Sequence, residues 1–142
     1  MAQDIPPETE NRLRSLLGDL IEGRWEKARG EFDEGLRGRV DADMIARRWA
    51  DVTPPGGFKG MGALSARQSD GYSVVRVPLT FQGGDMTAHI VLDHAGKVAG
   101  LEMEYPRRHW LGLRRSVRFF AIGNGDPEVS KALHAPLELR QG

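Results

Sequence analysis

His89 and Glu102 are the two residues of this chain best placed to move a proton between them. Both lie in the stretch YSVVRVPLTFQGGDMTAHIVLDHAGKVAGLEMEY, residues 72–105, which reads as three strands joined by glycine turns. An imidazole beside a carboxylate can act as a general base, and such a site also needs a donor for developing oxyanion charge. Tyr72 and Tyr105 carry hydroxyls of that kind, although at strand ends they would equally well meet water. Asp33 is a second acidic candidate, and Asp51 a third, because both sit near helical apolar stripes. Each of these residues also has an ordinary structural use. His89 with Glu102 makes a cross-strand pair on an outer sheet face, and Asp33 and Asp51 make a cap or a solvated helix face. Asp93 reads as a turn former.

Other chemistries find less support. The chain has no cysteine, and His89, His94, His109 and His134 show no metal-ligand spacing, so no metal site is expected. The GNGDPE segment places glycines before a helix start but lacks the Lys-Ser/Thr ending of a phosphate-binding loop. No cofactor is implied.

The strands must position any such site. Residues 73–81, 86–93 and 97–104 are expected to form one antiparallel sheet. With Gly83-Gly84 as a two-residue turn, Phe81 faces Met86, Leu79 faces Ala88, Val77 faces Ile90 and Val75 faces Leu92. The opposite face carries Arg76, Pro78, Thr80, Thr87, His89 and Asp93, with Val74 and Val91. A turn at Ala95-Gly96 sets His89 opposite Glu102 and Ile90 opposite Leu101, and extends the apolar face through Ala99, Leu101, Met103 and Tyr105. A three-residue bulged turn would instead move Glu102 and Glu104 to the other face; the first register keeps the faces consistent. The mixed outer face suits either solvent or a second copy, and a homodimer through that face is expected.

Helices are expected ahead of the sheet. Leu13, Leu16, Leu17, Leu20 and Ile21 form one stripe, with Pro6-Pro7 at its start and Gly23 at its end. Trp25, Ala28, Phe32 and Leu36 mark a second helix, and Met44, Ile45, Trp49 and Val52 a third that begins at Asp41. TPPGGFKGMG, residues 53–62, reads as a loop with Phe58 as its apolar anchor. Toward the end, SVRFFAIG reads as a strand, and a short helix follows Asp126-Pro127.

Size and charge narrow the classes. The 142 residues are expected to form a single α+β domain, 1–142, with a core over 13–105 and an extension over 106–142. Basic and acidic side chains balance at 20 each, which speaks against nucleic acid or anionic lipid as a partner of the whole chain. The extension nevertheless gathers Arg107, Arg108, His109, Arg114, Arg115 and Arg118 around Trp110, Phe119 and Phe120. That run suits either an anionic partner or a solvated strand edge guarded by charge. The polar, acidic start and the lack of a long apolar run lead to the expectation of a cytoplasmic protein that does not engage a membrane.

The order LIEGRWEKARGEFDEGLRGRVDADMIARRWADV, then Gly57-Phe58, then the glycine-joined strands with Asp93 and Gly96-Lys97-Val98-Ala99-Gly100-Leu101, resembles a bacterial domain family of unknown function. That family belongs to the nuclear-transport-factor-2-like superfamily of cystatin-like α+β cones, and the likeness covers residues 13 to about 104. It implies three helices on a curved antiparallel sheet and a cavity between them. It also implies candidate ligand contacts at Trp25, Phe32, Trp49, Phe58, Val77, Leu79 and Ile90. The function expected first is binding an apolar or aromatic small molecule, or service as an accessory domain; the alternative is cofactor-independent acid/base catalysis of the isomerase, cyclase or dehydratase kind, and the second alternative is dimerisation or partner binding. His89, Glu102 and Asp33 would carry the catalysis. Fold alone does not choose among them.

Overall fold

The computed structural model describes residues 5–53, 56–69, 71–108 and 114–122. The short helix expected after Asp126 lies outside them, as do His109, Trp110 and His134 and the side chains of Asp51 and Tyr105. The described chain is α+β: helices first, then an open antiparallel sheet. Among the described residues no helix is long and apolar enough to cross a membrane.

α1 (Pro7–Glu22) starts with a proline, whose missing N–H costs nothing in the first turn, and ends at Gly23 in the left-handed conformation. Its buried stripe is Leu13, Leu16, Leu17 and Leu20. The second expected helix is two, α2 (Trp25–Arg29) and α3 (Glu34–Arg39). The break between them has a definite cause. Glu31 and Asp33 bond their main chain to Val98, so the segment pairs with the sheet instead of closing helical bonds. The Asp33 carboxylate then restarts the helix by accepting Leu36 N–H at 2.8 Å. α4 (Ala42–Val52) begins in the expected way, with Asp41 accepting Met44 N–H at 2.9 Å.

The sheet contains β1 (Phe58–Met61), β2 (Ser65–Ser69), β3 (Tyr72–Phe81), β4 (Gly84–Leu92), β5 (Val98–Arg108) and β6 (Arg114–Ile122). The order is β1-β3-β4-β5-β6, and β2 also pairs with β3. β1 meets the last residues of β3 and β2 its first half, so two short strands share one side of β3. The glycine-rich stretch read as a loop therefore becomes a strand from Phe58 onward, with a register shift between Phe58 and Gly60.

The β3–β4 register differs from expectation. Phe81 pairs with Gly84, Leu79 with Met86, Val77 with Ala88 and Val75 with Ile90, so the turn is Gln82-Gly83 and not Gly83-Gly84. Gly84, with φ 156, is already strand. The slide is two residues, and a two-residue slide keeps every side chain on its face. β4 and β5 pair as expected, with Ala88 opposite Met103, His89 opposite Glu102 and Ile90 opposite Leu101. A bulge then intervenes: Val91 pairs with Gly100 and Leu92 with Val98. Ala99 is the extra residue, so it packs with Val74 and Val91 on the far side of the sheet and not with the helix-side core.

One main core lies between helices and sheet. It joins the α1 leucines, Phe32, Leu36, Ile45 and Trp49 to Val75, Val77, Leu79, Met86, Ile90, Val98, Leu101 and Met103. Trp49, at 6 % exposed, is buried in it.

Candidate functional site

The sheet face turned away from the helices carries the ionisable side chains. Alternation along β3, β4 and β5 puts Arg76, His89 and Glu102 in one cross-sheet row, because Arg76 pairs with His89 and His89 with Glu102. Glu104 sits one pair along, opposite Thr87. His89 nevertheless bonds Glu104: Nε2 and Oε1 stand 2.8 Å apart. An ionised carboxylate only accepts, so Nε2–H is the donor. Sheet twist brings such diagonal neighbours within reach of long side chains. The sequence identified the face and the pair opposite, but not the diagonal partner.

This face is not uniformly open. His89 is 9 % and Glu102 3 % exposed, and Val74, Val91 and Ala99 beside them are buried. Arg76, Pro78 and Thr80, toward the other end, are exposed. The His89–Glu104 pair, with side chains 11 % and 18 % exposed, stands at the border between the covered and the open half. An imidazole held by a carboxylate at such a border is oriented and partly shielded from water.

Asp33 does not join this group. Its main chain bonds Val98 and its carboxylate caps α3, which places it with the helical layer. Asp93 turns β4 into β5, accepting the N–H groups of Ala95 and Lys97 at 2.9 Å each. Tyr72 stacks on His94, with centroids 6.4 Å apart.

The apolar candidates are split as well. Phe32, Val77 and Ile90 are 0 % exposed and Leu79 1 %. A side chain with no exposure meets no water-sized space, inside the protein or outside it. Trp49 belongs to the same core, and Trp25 packs half-buried against it. Phe58 stands apart on edge strand β1, 36 % exposed, with its ring 5.5 Å from that of Phe81 in an edge-on contact. The anchor expected inside a loop is thus a surface aromatic on a strand.

A feature that sequence reading missed is a groove of about 240 Å³ beside α1, lined by Asn11, Arg12, Ser15, Asp19, Lys27 and Glu31 among others. Arg12 spans part of it, bonding Glu31 at 2.9 Å and the Gly96 carbonyl at 3.1 Å. Asp19, buried, receives Arg24 at 2.9 Å. Its charges are thus engaged with one another. Among the described residues no group of three or more His, Cys, Asp or Glu side chains is arranged to hold a metal ion.

No protein-family model, curated protein or solved structure matches this chain.

Proposed function

We propose that this chain is an accessory domain that binds a partner through its surface, with its helix–sheet interior serving as structural core. The observation that supports this is the burial of Phe32, Val77, Leu79 and Ile90, the side chains that would wall an apolar ligand site. Where they meet, the protein's own side chains occupy the room a metabolite would need. We take the fold to be a filled variant of the nuclear-transport-factor-2-like cone, a reading supported by the helices-then-sheet order. Self-association belongs to the same reading, and the open end of the outer face at Arg76, Pro78 and Thr80 is where a second copy would sit.

The test is titration with an apolar aromatic probe such as 1-naphthol, read by tryptophan fluorescence and by methyl NMR of Val77, Leu79 and Ile90. The proposal expects no saturable change. Saturation with shifts at those three methyl-bearing residues would restore small-molecule binding as the better account.

A second reading, acid/base catalysis, is favoured by the His89–Glu104 contact at 2.8 Å. Proton abstraction next to a carbonyl is the reaction class to try, using simple ketones in deuterium oxide. Deuteration above background that disappears in His89→Gln supports it. Equal rates with and without the protein remove it for that class.

A further inference from the structure

The sheet face turned away from the helices is covered over one half, although the described helices lie on the other side. Val74, Val91 and Ala99 are 1 %, 0 % and 2 % exposed, and Glu102 beside them is 3 %. Main-chain pairing does not shield a sheet's face, because alternate side chains stand out from it. Among the described residues, the hydrophobic side chain packed against these three is Tyr72, itself only partly buried. The buried stripes of α1, α3 and α4 belong to the core on the opposite face. Val74, Val91 and Ala99 are buried within the chain itself, so what lies over them is part of the chain.

The topology indicates which part is at hand. Val74, Val91 and Gly100 form one cross-sheet row, and Ile122 pairs with Leu101 in the next. β6 runs antiparallel to β5, so the chain leaves the sheet at Ile122 heading toward that row. The exposed Arg76, Pro78 and Thr80 lie toward the opposite end. Of the stretches outside the described residues, 109–113 join β5 to β6 at that opposite end, and 1–4 precede Ile5, which packs on the helix-side core. Residues 54–55 and 70 are too short to cover three strands. Residues 123–142 follow the exit at Ile122, and a three-strand row about 10 Å across is well within their reach. They carry Val129, Ala132 and Leu133 at i, i+3 and i+4, the spacing that sets apolar side chains on one helical face.

We propose that residues 123–142 are a strap over this half of the outer face, seating Val129 and Leu133 on Val74, Val91 and Ala99. The strap goes beyond the partner-binding reading and limits it: while it is in place, a second copy has only the open end at Arg76, Pro78 and Thr80. The two fail separately, because a strapped chain that stays monomeric at every concentration upholds the strap and removes self-association.

The experiment is isotope-filtered methyl NOE spectroscopy on the intact chain, run on labelled protein and on labelled protein mixed with unlabelled. NOEs within one chain from the methyls of Val129 and Leu133 to those of Val74, Val91 and Ala99 are expected. A full-length chain carrying Val129→Asp and Leu133→Asp should lose them. A gadolinium chelate in solution should then broaden the Val74, Val91 and Ala99 methyls of that variant, while Val77 and Ile90 on the helix side stay as sharp as in the wild type. Absence of the NOEs in the intact chain overturns the proposal, and this measurement decides even if the variant does not fold. A folded variant whose three outer methyls stay protected also overturns it. NOEs that appear only between labelled and unlabelled chains overturn it in favour of a second copy.

Discussion

Glu31 and Val98 are joined across the two layers of the protein. Val98 N–H donates to the Glu31 carbonyl at 2.9 Å, and Val98 in turn accepts Asp33 N–H at 2.7 Å. Phe32, between them, pairs with Val98 in parallel as an isolated bridge and is fully buried. The helical layer is thus attached to β5 by main-chain bonds as well as by packing. Hydrogen exchange checks this: the amides of Asp33 and Val98 should open together, with similar protection. Fast exchange at Asp33 beside slow exchange at Val98 would mean the bridge breaks without the sheet.

Trp49→Ala should destabilise the protein by about 3–5 kcal/mol, the usual cost of truncating a large buried aromatic. The residue is 6 % exposed within the main core. Urea denaturation measures it; an unchanged midpoint contradicts the packing of α4 described above.

The two aspartate caps allow a paired comparison. Asp41→Ala removes the acceptor for Met44 N–H and should cost about 1 kcal/mol. Asp33→Ala removes the acceptor for Leu36 N–H at the segment bonded to β5. Its cost should be at least as large, because fraying there also loosens the bridge. Thermal melts of the two variants decide; a smaller loss at Asp33 argues against that coupling.

His89 and Glu104 should be energetically coupled. A double-mutant cycle with His89→Gln and Glu104→Gln is expected to return an interaction within about 0.5–3 kcal/mol, the span usual for contacting groups. Coupling indistinguishable from zero would mean that the contact contributes nothing to the fold.

Two glycines should respond oppositely to alanine. Gly96 has φ +82, and a Cβ there would meet Arg12 at 3.3 Å, so Gly96→Ala should destabilise by about 1 kcal/mol or more. Gly38 lies in α3 with open space around its Cβ position, so Gly38→Ala should stabilise by about 0.5–1 kcal/mol. Chemical denaturation of the two variants tests both signs.

Faces were more legible in the sequence than pairings. Val75, Val77, Leu79 and Phe81 lie on the core side, as their alternation implies, even though the turn falls one residue earlier, because a two-residue slide preserves parity. His89 keeps the outer face for the same reason, and Glu102 and Glu104 keep it because β4 and β5 pair as expected. A one-residue bulge breaks parity, and so Ala99 sits on the outer face and not in the core that alternation implies. β1 and β2 are not legible in the sequence because FKGM and SARQS show no sustained apolar alternation. A cue for β2 was present in Asp70-Gly71, a favoured hairpin dipeptide, and Gly71 does have φ 87. Burial of the outer face near Val74, Val91 and Ala99 is a tertiary fact that local pattern does not carry. A cap is one of the two structural uses that Asp33 offers in sequence, but pattern does not reveal the break between α2 and α3 that gives it α3 to cap.

The divided edge on β3 has a consequence for how the protein behaves when crowded. A long, even strand at the border of a sheet is a template onto which another chain can zip, and so a starting point for aggregates. Here that border is four residues, then a gap, then five. Its first piece is interrupted at Lys59, between the paired residues Phe58 and Gly60. An incoming strand would lose register within a few residues and meet a charge as it did so. Deleting Lys59 would even out the pairing and remove that charge together, turning a self-limiting border into an adhesive one.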